Sequence, residues 1–140
     1  MSKKILHFIA SQAIILVLAL PQAATASSVF NKHISLASNQ VWTARMGVTR
    51  SGSHYDVATK CHSVYPVTGE DTFTRIQCKV VDSDGVNIMD SGLSYIVLNE
   101  SAGYSQIIIK NGYLDLTKVY FRYRGNSSAA AEAIVSYLGK

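Results

Sequence analysis

Four sets of side chains in this sequence have types and spacings that could do chemistry. The first is an acidic run, Asp82, Asp84, Asn87 and Asp90. Hard oxygen donors this close together suit calcium. The run is no EF-hand loop, because Gly85 comes too early, Val86 takes a ligand position and no Glu closes it. Asp and Gly are also what a tight turn selects. The second set is Tyr120, Arg122 and Arg124, alternating along one stretch with Lys118 behind them. Tyrosine and arginine are enriched in binding hot spots, and flat tyrosine rings suit sugars. Long side chains also cover a solvated sheet face for structural reasons alone. The third set is His33, His54 and His62, the three histidines that follow the N-terminal apolar stretch. His54 and His62 point the same way in an extended segment but stand eight positions apart. That is roughly 26 Å at strand rise, so they cannot share a metal. No Ser–His–Asp elbow, HExxH pair or Gly-rich phosphate loop occurs. These sets predict a binding protein that is no enzyme and needs no cofactor.

The fourth set is the only two cysteines, Cys61 and Cys78. Folding Tyr55–Val81 at Gly69-Glu70 and pairing the arms antiparallel sets Cys61 opposite Cys78, Thr59 opposite Val80, Ser63 opposite Ile76 and Tyr65 opposite Thr74. Side chains alternate along a strand, so these pairs share one face. Lys60, Lys79, His62, Gln77, Val64 and Arg75 take the other. Gly69 then stands where a type II′ hairpin turn wants glycine. The expectation is a hairpin stapled by a Cys61–Cys78 disulfide. Continuing the same register brings His54 and Asp56 beside Ser83, which adds Asp56 to the acidic run as a candidate metal ligand.

The remaining elements have to position these groups. Val29–Leu36 is read as a first, edge-like strand. In the next, Trp42, Ala44, Met46 and Val48 share a face. A tight Ser51-Gly52 turn would lay that face, with the only tryptophan, over the disulfide. Asp82–Gly85 turns into a short strand at Val86–Met89, and Leu93–Leu98 and Tyr104–Lys110 follow. Asn111-Gly112 is a strong two-residue hairpin signal, pairing Ile109 with Leu114 and Ile107 with Leu116. In Val119–Arg124 the residues Val119, Phe121 and Tyr123 point inward. Ala129–Ala133 is the one place where helix propensity is high, though it is too short and uncapped to insist on a helix, and Ile134–Tyr137 reads as a closing strand. About eight short strands separated by turns predict an all-β antiparallel sandwich or barrel.

Lys3-Lys4 followed by an apolar run densest over Ala13–Leu20, Pro21 and Ala24-Thr25-Ala26 reads as a signal peptide, residues 1–26. The run is far short of the roughly 20 residues that span a bilayer, so the mature form is expected without a transmembrane anchor. Residues 27–140 make one domain by length, and export favours a disulfide over free thiols. Cleavage removes Lys3 and Lys4, so the 13 basic residues become 11 against 9 acidic ones. This ordinary balance does not point to nucleic acid. Asn99-Glu100-Ser101 and Asn126-Ser127-Ser128 are glycosylation sequons. The leading expectation is a secreted, non-catalytic module that binds an extracellular protein or glycan. The alternative is a secreted antagonist, a small bacteriocin, toxin or protease inhibitor acting through a loop such as Pro66–Thr72. A small hydrolase comes third.

Overall fold

The computed structural model describes residues 25–66 and 74–140. The signal peptide up to Ala24, the Gly69-Glu70 turn and most of the Pro66–Thr72 loop lie outside the described residues. Eight strands are formed among those described: β1 (Ser28–Leu36), β2 (Met46–Thr49), β3 (Asp56–Pro66), β4 (Arg75–Val81), β5 (Ile96–Asn99), β6 (Ser105–Ile108), β7 (Lys118–Gly125) and β8 (Ala131–Gly139). They build two four-stranded sheets, β1-β8-β3-β6 and β2-β7-β4-β5. All paired strands run antiparallel. The all-β architecture is as expected, and it is the sandwich rather than the barrel.

Alternation decides what lies between the sheets. From the first sheet, Leu36, Val57, Cys61, Ala133, Val135 and Tyr137 are buried; from the second, Val48, Ile76, Cys78, Val80, Phe121 and Tyr123 are buried. Each such large apolar side chain contributes about 1.5–3 kcal/mol relative to exposure. The rings of Phe121 and Tyr123 on β7 meet Tyr137 on β8, with centroids 5.1 and 6.3 Å away. The polar groups among them are paired. Thr59 Oγ1 donates to the Ser136 carbonyl at 2.9 Å, which leaves its oxygen to accept from the Tyr123 hydroxyl at 2.7 Å.

The stapled hairpin is not what forms. β3 and β4 belong to different sheets and do not pair with each other. Cys61 faces Val135 of β8, and Cys78 lies between Ile96 of β5 and Tyr123 of β7. The two cysteines are not bonded. Burial, with the Glu100 charge, pushes the Cys61 thiol up to about 11, and burial pushes Cys78 well above the ordinary thiol value. Both remain protonated. The inward assignment of Thr59, Cys61, Ile76, Cys78 and Val80 holds because alternation survives a change of partner. Ser63 and Tyr65 do not point inward, since a register shift between Cys61 and Ser63 exchanges the faces and buries Val64 instead.

Two further expectations are corrected, and the closing strand starts earlier than Ile134. Asn111-Gly112 makes no hairpin: Asn111–Tyr113 is a 3₁₀ turn, and Ile107 pairs with Val57 of β3. The alanine run lies partly in β8, where Ala131 and Ala133 are fully buried; their small side chains fit a tightly packed inner face. Val86–Met89 forms only two isolated bridges, Val81 to Asn87 and Met89 to Ile109. One buried charge organises this end of the sandwich. Arg50 is fully buried. Its Nη1 donates to the carbonyls of Leu114 and Leu116 at 3.2 and 3.1 Å, and its Nη2 donates to the carbonyl of His54.

Candidate functional site

The outer face of the β2-β7-β4-β5 sheet collects the basic and aromatic residues. On β7, Val119, Phe121 and Tyr123 are buried, and alternation turns Lys118, Tyr120, Arg122 and Arg124 outward. The register with β4 sets Lys79 opposite Arg122 and Gln77 opposite Arg124. On the β2 side, Gly47 stands opposite Tyr120. A side-chain carbon at Gly47 would come within 3.1 Å of the Tyr120 ring and 2.9 Å of Lys118 Cε, so its absence lets both lie flat across β2.

The connection from β1 to β2 adds the tryptophan. Asn39 and Gln40 take positive φ of 63° and 54°, a region costly for residues with a Cβ. This reversal returns the chain along β7. The Thr43 amide donates to the Tyr123 carbonyl at 2.8 Å, and Thr43 Oγ1 accepts from the Tyr123 amide at 3.1 Å. Trp42 consequently lies on the outer face, not over the cysteines in the core. Lys79 Nζ is 4.6 Å and Arg124 Cζ 4.4 Å from its ring centroid. The same Arg124 guanidinium is 5.1 Å from Tyr95, just before β5. Tyr120 carries Arg45 at 5.8 Å and Lys118 at 5.6 Å. Such cation–π contacts stabilise by about 0.5–1 kcal/mol each where exposed.

The two arginines are fixed by their inner nitrogens. Arg122 Nε donates to the Thr43 carbonyl at 2.8 Å, and Arg124 Nε donates to Gln77 Oε1 at 2.5 Å. Gln77 Nε2 in turn donates to Asn126 Oδ1 at 3.1 Å. Among the described residues no acceptor takes the terminal Nη groups of Arg122 or Arg124, or the Lys79 amine. Among the described residues none of these cations is paired with a carboxylate: the one ion pair there, Lys140 with Asp56 at 2.8 Å, belongs to the other sheet. Burial, and the neighbouring charges of Arg122 and Arg124, pull the Lys79 amine below its ordinary value. Like charges facing each other across strands are destabilising. The face therefore holds positive charge at a cost to the fold.

The candidate metal residues do not come together. Asp56 lies on β3 opposite Ile108 and not beside Ser83; its carboxylate accepts from Lys140 at 2.8 Å and Gln106 at 2.9 Å. Asp82 Oδ1 accepts from the Asp84 and Val86 amides, both at 2.9 Å, and so caps its own turn. Asn87 Oδ1 accepts from the Met89 amide at 2.9 Å. Asp84 and Asp90 are exposed, and Asp90 borders a small apolar cleft with Met89, Leu93, Ile96 and Ile107. Among the described residues no three His, Cys, Asp or Glu side chains are grouped so as to hold a metal ion. His62 Nε2 is 2.7 Å from Ser136 Oγ, which also accepts from the Asn31 amide at 3.0 Å. Ser136 is fully buried, and the pair braces the β1 bulge.

Tyr120, Arg122 and Arg124 do share one face, as their alternation implies. Reasoning from sequence missed Trp42, Tyr95 and Lys79 as their neighbours. Lys79 and Gln77 were legible as the polar side of β4, but which strand lay beside them was not. No family model, curated protein or solved structure matches the chain.

Proposed function

We propose that this protein is an exported, non-catalytic β-sandwich module that binds an acidic extracellular ligand through the outer face of the β2-β7-β4-β5 sheet. One observation carries the reading: Lys79 and Arg124 lie over Trp42 and Arg122 faces Lys79 across the ladder, with no carboxylate among the described residues to neutralise them. A fold gains nothing from facing Lys79 against Arg122, whereas a partner that brings negative charge turns the repulsion into attraction. The rings of Trp42, Tyr95 and Tyr120 serve here to hold cations in place. That role points to recognition of charge. Export rests on the N-terminal sequence pattern and accounts for a partner outside the cell.

Trp42 is the only tryptophan, so its fluorescence reports directly on this face. Titration with acidic polysaccharides and acidic proteins should change its emission saturably. Affinity should fall as salt rises, as expected where bound cations displace counterions. The double variant Arg122→Gln/Arg124→Gln should lose about tenfold or more in affinity. Absence of any saturable response across such a panel, at low salt, would dispose of the proposal.

A further inference from the structure

We infer that Lys79, Arg122 and Arg124 form a subsite for a phosphate monoester borne by a carbohydrate. The inference rests on the binding face proposed above and names the group which that face takes.

The geometry of the donors selects the group. Each arginine spends Nε on a fixed protein acceptor, the Thr43 carbonyl for Arg122 and Gln77 Oε1 for Arg124. Each therefore keeps its terminal Nη pair, held in one orientation, for a ligand. An arginine fork of this kind suits the paired oxygens of carboxylate or phosphate. Lys79 adds a third cation, directly across the ladder from Arg122 and beside the same tryptophan as Arg124. Three cationic groups on two strands call for an anion with oxygens in several directions. A carboxylate offers two oxygens in one plane and a single charge. A phosphate monoester offers three terminal oxygens and a charge of about −1.5 to −2 at neutral pH. It comes closer than a carboxylate does to both the number of donors and the charge of the three cations.

The surroundings select the carrier. In a protein interface the buried centre is depleted of charge and the rim is polar. This face is arranged the other way. Its inner strands β7 and β4 carry Arg122, Arg124 and Lys79, while exposed apolar residues such as Val97 lie on the edge strand β5. A membrane surface would need side chains free to enter the acyl region, whereas the rings at the centre of the face, Trp42, Tyr95 and Tyr120, are each held against a cation. Beside Arg124, buried Gln77 is spent on Arg124 Nε and on Asn126 Oδ1, which turns the Asn126 amide so that its Nδ2, unclaimed among the described residues, can donate to a hydroxyl group. Phosphate next to hydroxyls is the chemistry of a phosphorylated sugar.

The test compares glucose 6-phosphate with glucose 6-sulfate, glucose and acetate, at constant ionic strength. Trp42 emission and backbone amide shifts of purified protein are the readouts. Glucose 6-phosphate should bind about tenfold or more tightly than glucose 6-sulfate near pH 7.5, because its second ionisation, with pKa of about 6, supplies the extra charge. That preference should shrink toward about pH 5, while sulfate binding, with no proton to gain there, serves as the control. Arg122→Gln, Arg124→Gln and Lys79→Gln should each remove most of the phosphate response. Arg124→Lys should weaken it too, since an ammonium offers no fork. Lys32→Gln, which removes an exposed cation on β1 of the other sheet, should leave it within about twofold. A thermal melt of each variant separates loss of binding from loss of fold.

Equal binding of phosphate and sulfate sugars, or no response to either, overturns the subsite. If acidic polysaccharides still bind, the broader reading of the face survives that result. If they also fail, both fall together. Stronger binding of O-phosphoserine, of phosphatidic acid vesicles or of single-stranded DNA than of glucose 6-phosphate would overturn the carbohydrate assignment in favour of that carrier.

Discussion

Lys79 shows at the residue scale how function and stability pull apart. Its amine faces Arg122 across the ladder and lies near Arg124 as well as over Trp42. The cation–π contact recovers some of the repulsion but not the burial. Lys79→Gln should therefore raise stability by about 0.2–1 kcal/mol in denaturant unfolding while weakening the ligand. An unchanged or lowered stability would mean that the contact with Trp42 outweighs the repulsion. Cys61 and Cys78 give the second residue-scale expectation. Both thiols are buried and shifted upward, and reactivity belongs to the thiolate. A thiol-specific reagent should leave the native protein unmodified near neutral pH and label two thiols after denaturation. Mass spectrometry that finds none in the denatured, unreduced protein would contradict the unbonded cysteines.

At the scale of the element, the β1–β2 connection is the feature on which the site depends. Asn39 and Gln40 hold consecutive left-handed conformations, and this sharp reversal carries Trp42 to the outer face. Asparagine tolerates the region better than glutamine does. Gln40→Gly removes the steric cost of about 1–2 kcal/mol and adds about 0.5–1 kcal/mol of chain entropy. The net expectation is a gain of about 0.5 kcal/mol in stability with Trp42 emission unchanged. A red shift of that emission would show instead that Gln40 itself holds the tryptophan on the sheet. β7 is the other decisive element. Its inward residues Val119, Phe121 and Tyr123 fix the sandwich and its outward residues build the site.

Across the whole molecule, the two sheets are tied at one edge by Ser27. Its amide donates to the Thr49 carbonyl at 3.1 Å, its hydroxyl accepts from the Thr49 amide at 2.9 Å, and its carbonyl accepts from Gly139 at 2.9 Å. A side-chain carbon at Gly139 would lie 1.9 Å from the Thr49 oxygen. Since that is rigid backbone, Gly139→Ala should cost about 3 kcal/mol by forcing the sheets apart, seen as a lowered denaturation midpoint. The pH dependence of the fold has an identifiable source as well. Burial pushes the Asp56 carboxyl up, but hydrogen bonds from Lys140 and Gln106, with the charges of Lys140 and His54, outweigh it and hold it below 3.8. A lowered native pKa means stability that is complete above the ordinary carboxylate value and disappears as pH falls through the native one. Wild type should thus exceed Asp56→Asn by about 1–3 kcal/mol at neutral pH, with the difference closing below about pH 4. A difference that persists into acid would mean the residue acts through packing.

Alternation is a local property, so the strand segments and their inward faces were legible in the sequence. Val119, Phe121 and Tyr123, or Ile76, Cys78 and Val80, are buried whichever strand lies beside them. For the same reason Tyr120, Arg122 and Arg124 could be placed together on one face before any partner was known. Partnership is not local. The Cys61–Cys78 register satisfied every short-range rule, yet β3 pairs with β8 and β4 with β7, partners far along the chain, so the cysteines settled in opposite sheets. The reversal at Asn39 and Gln40 runs against residue preference and is held by Ser128 and Tyr123, far along the chain. Only the tertiary structure could bring Trp42 and Lys79 to Arg124, because the site is made between strands that the sequence does not connect.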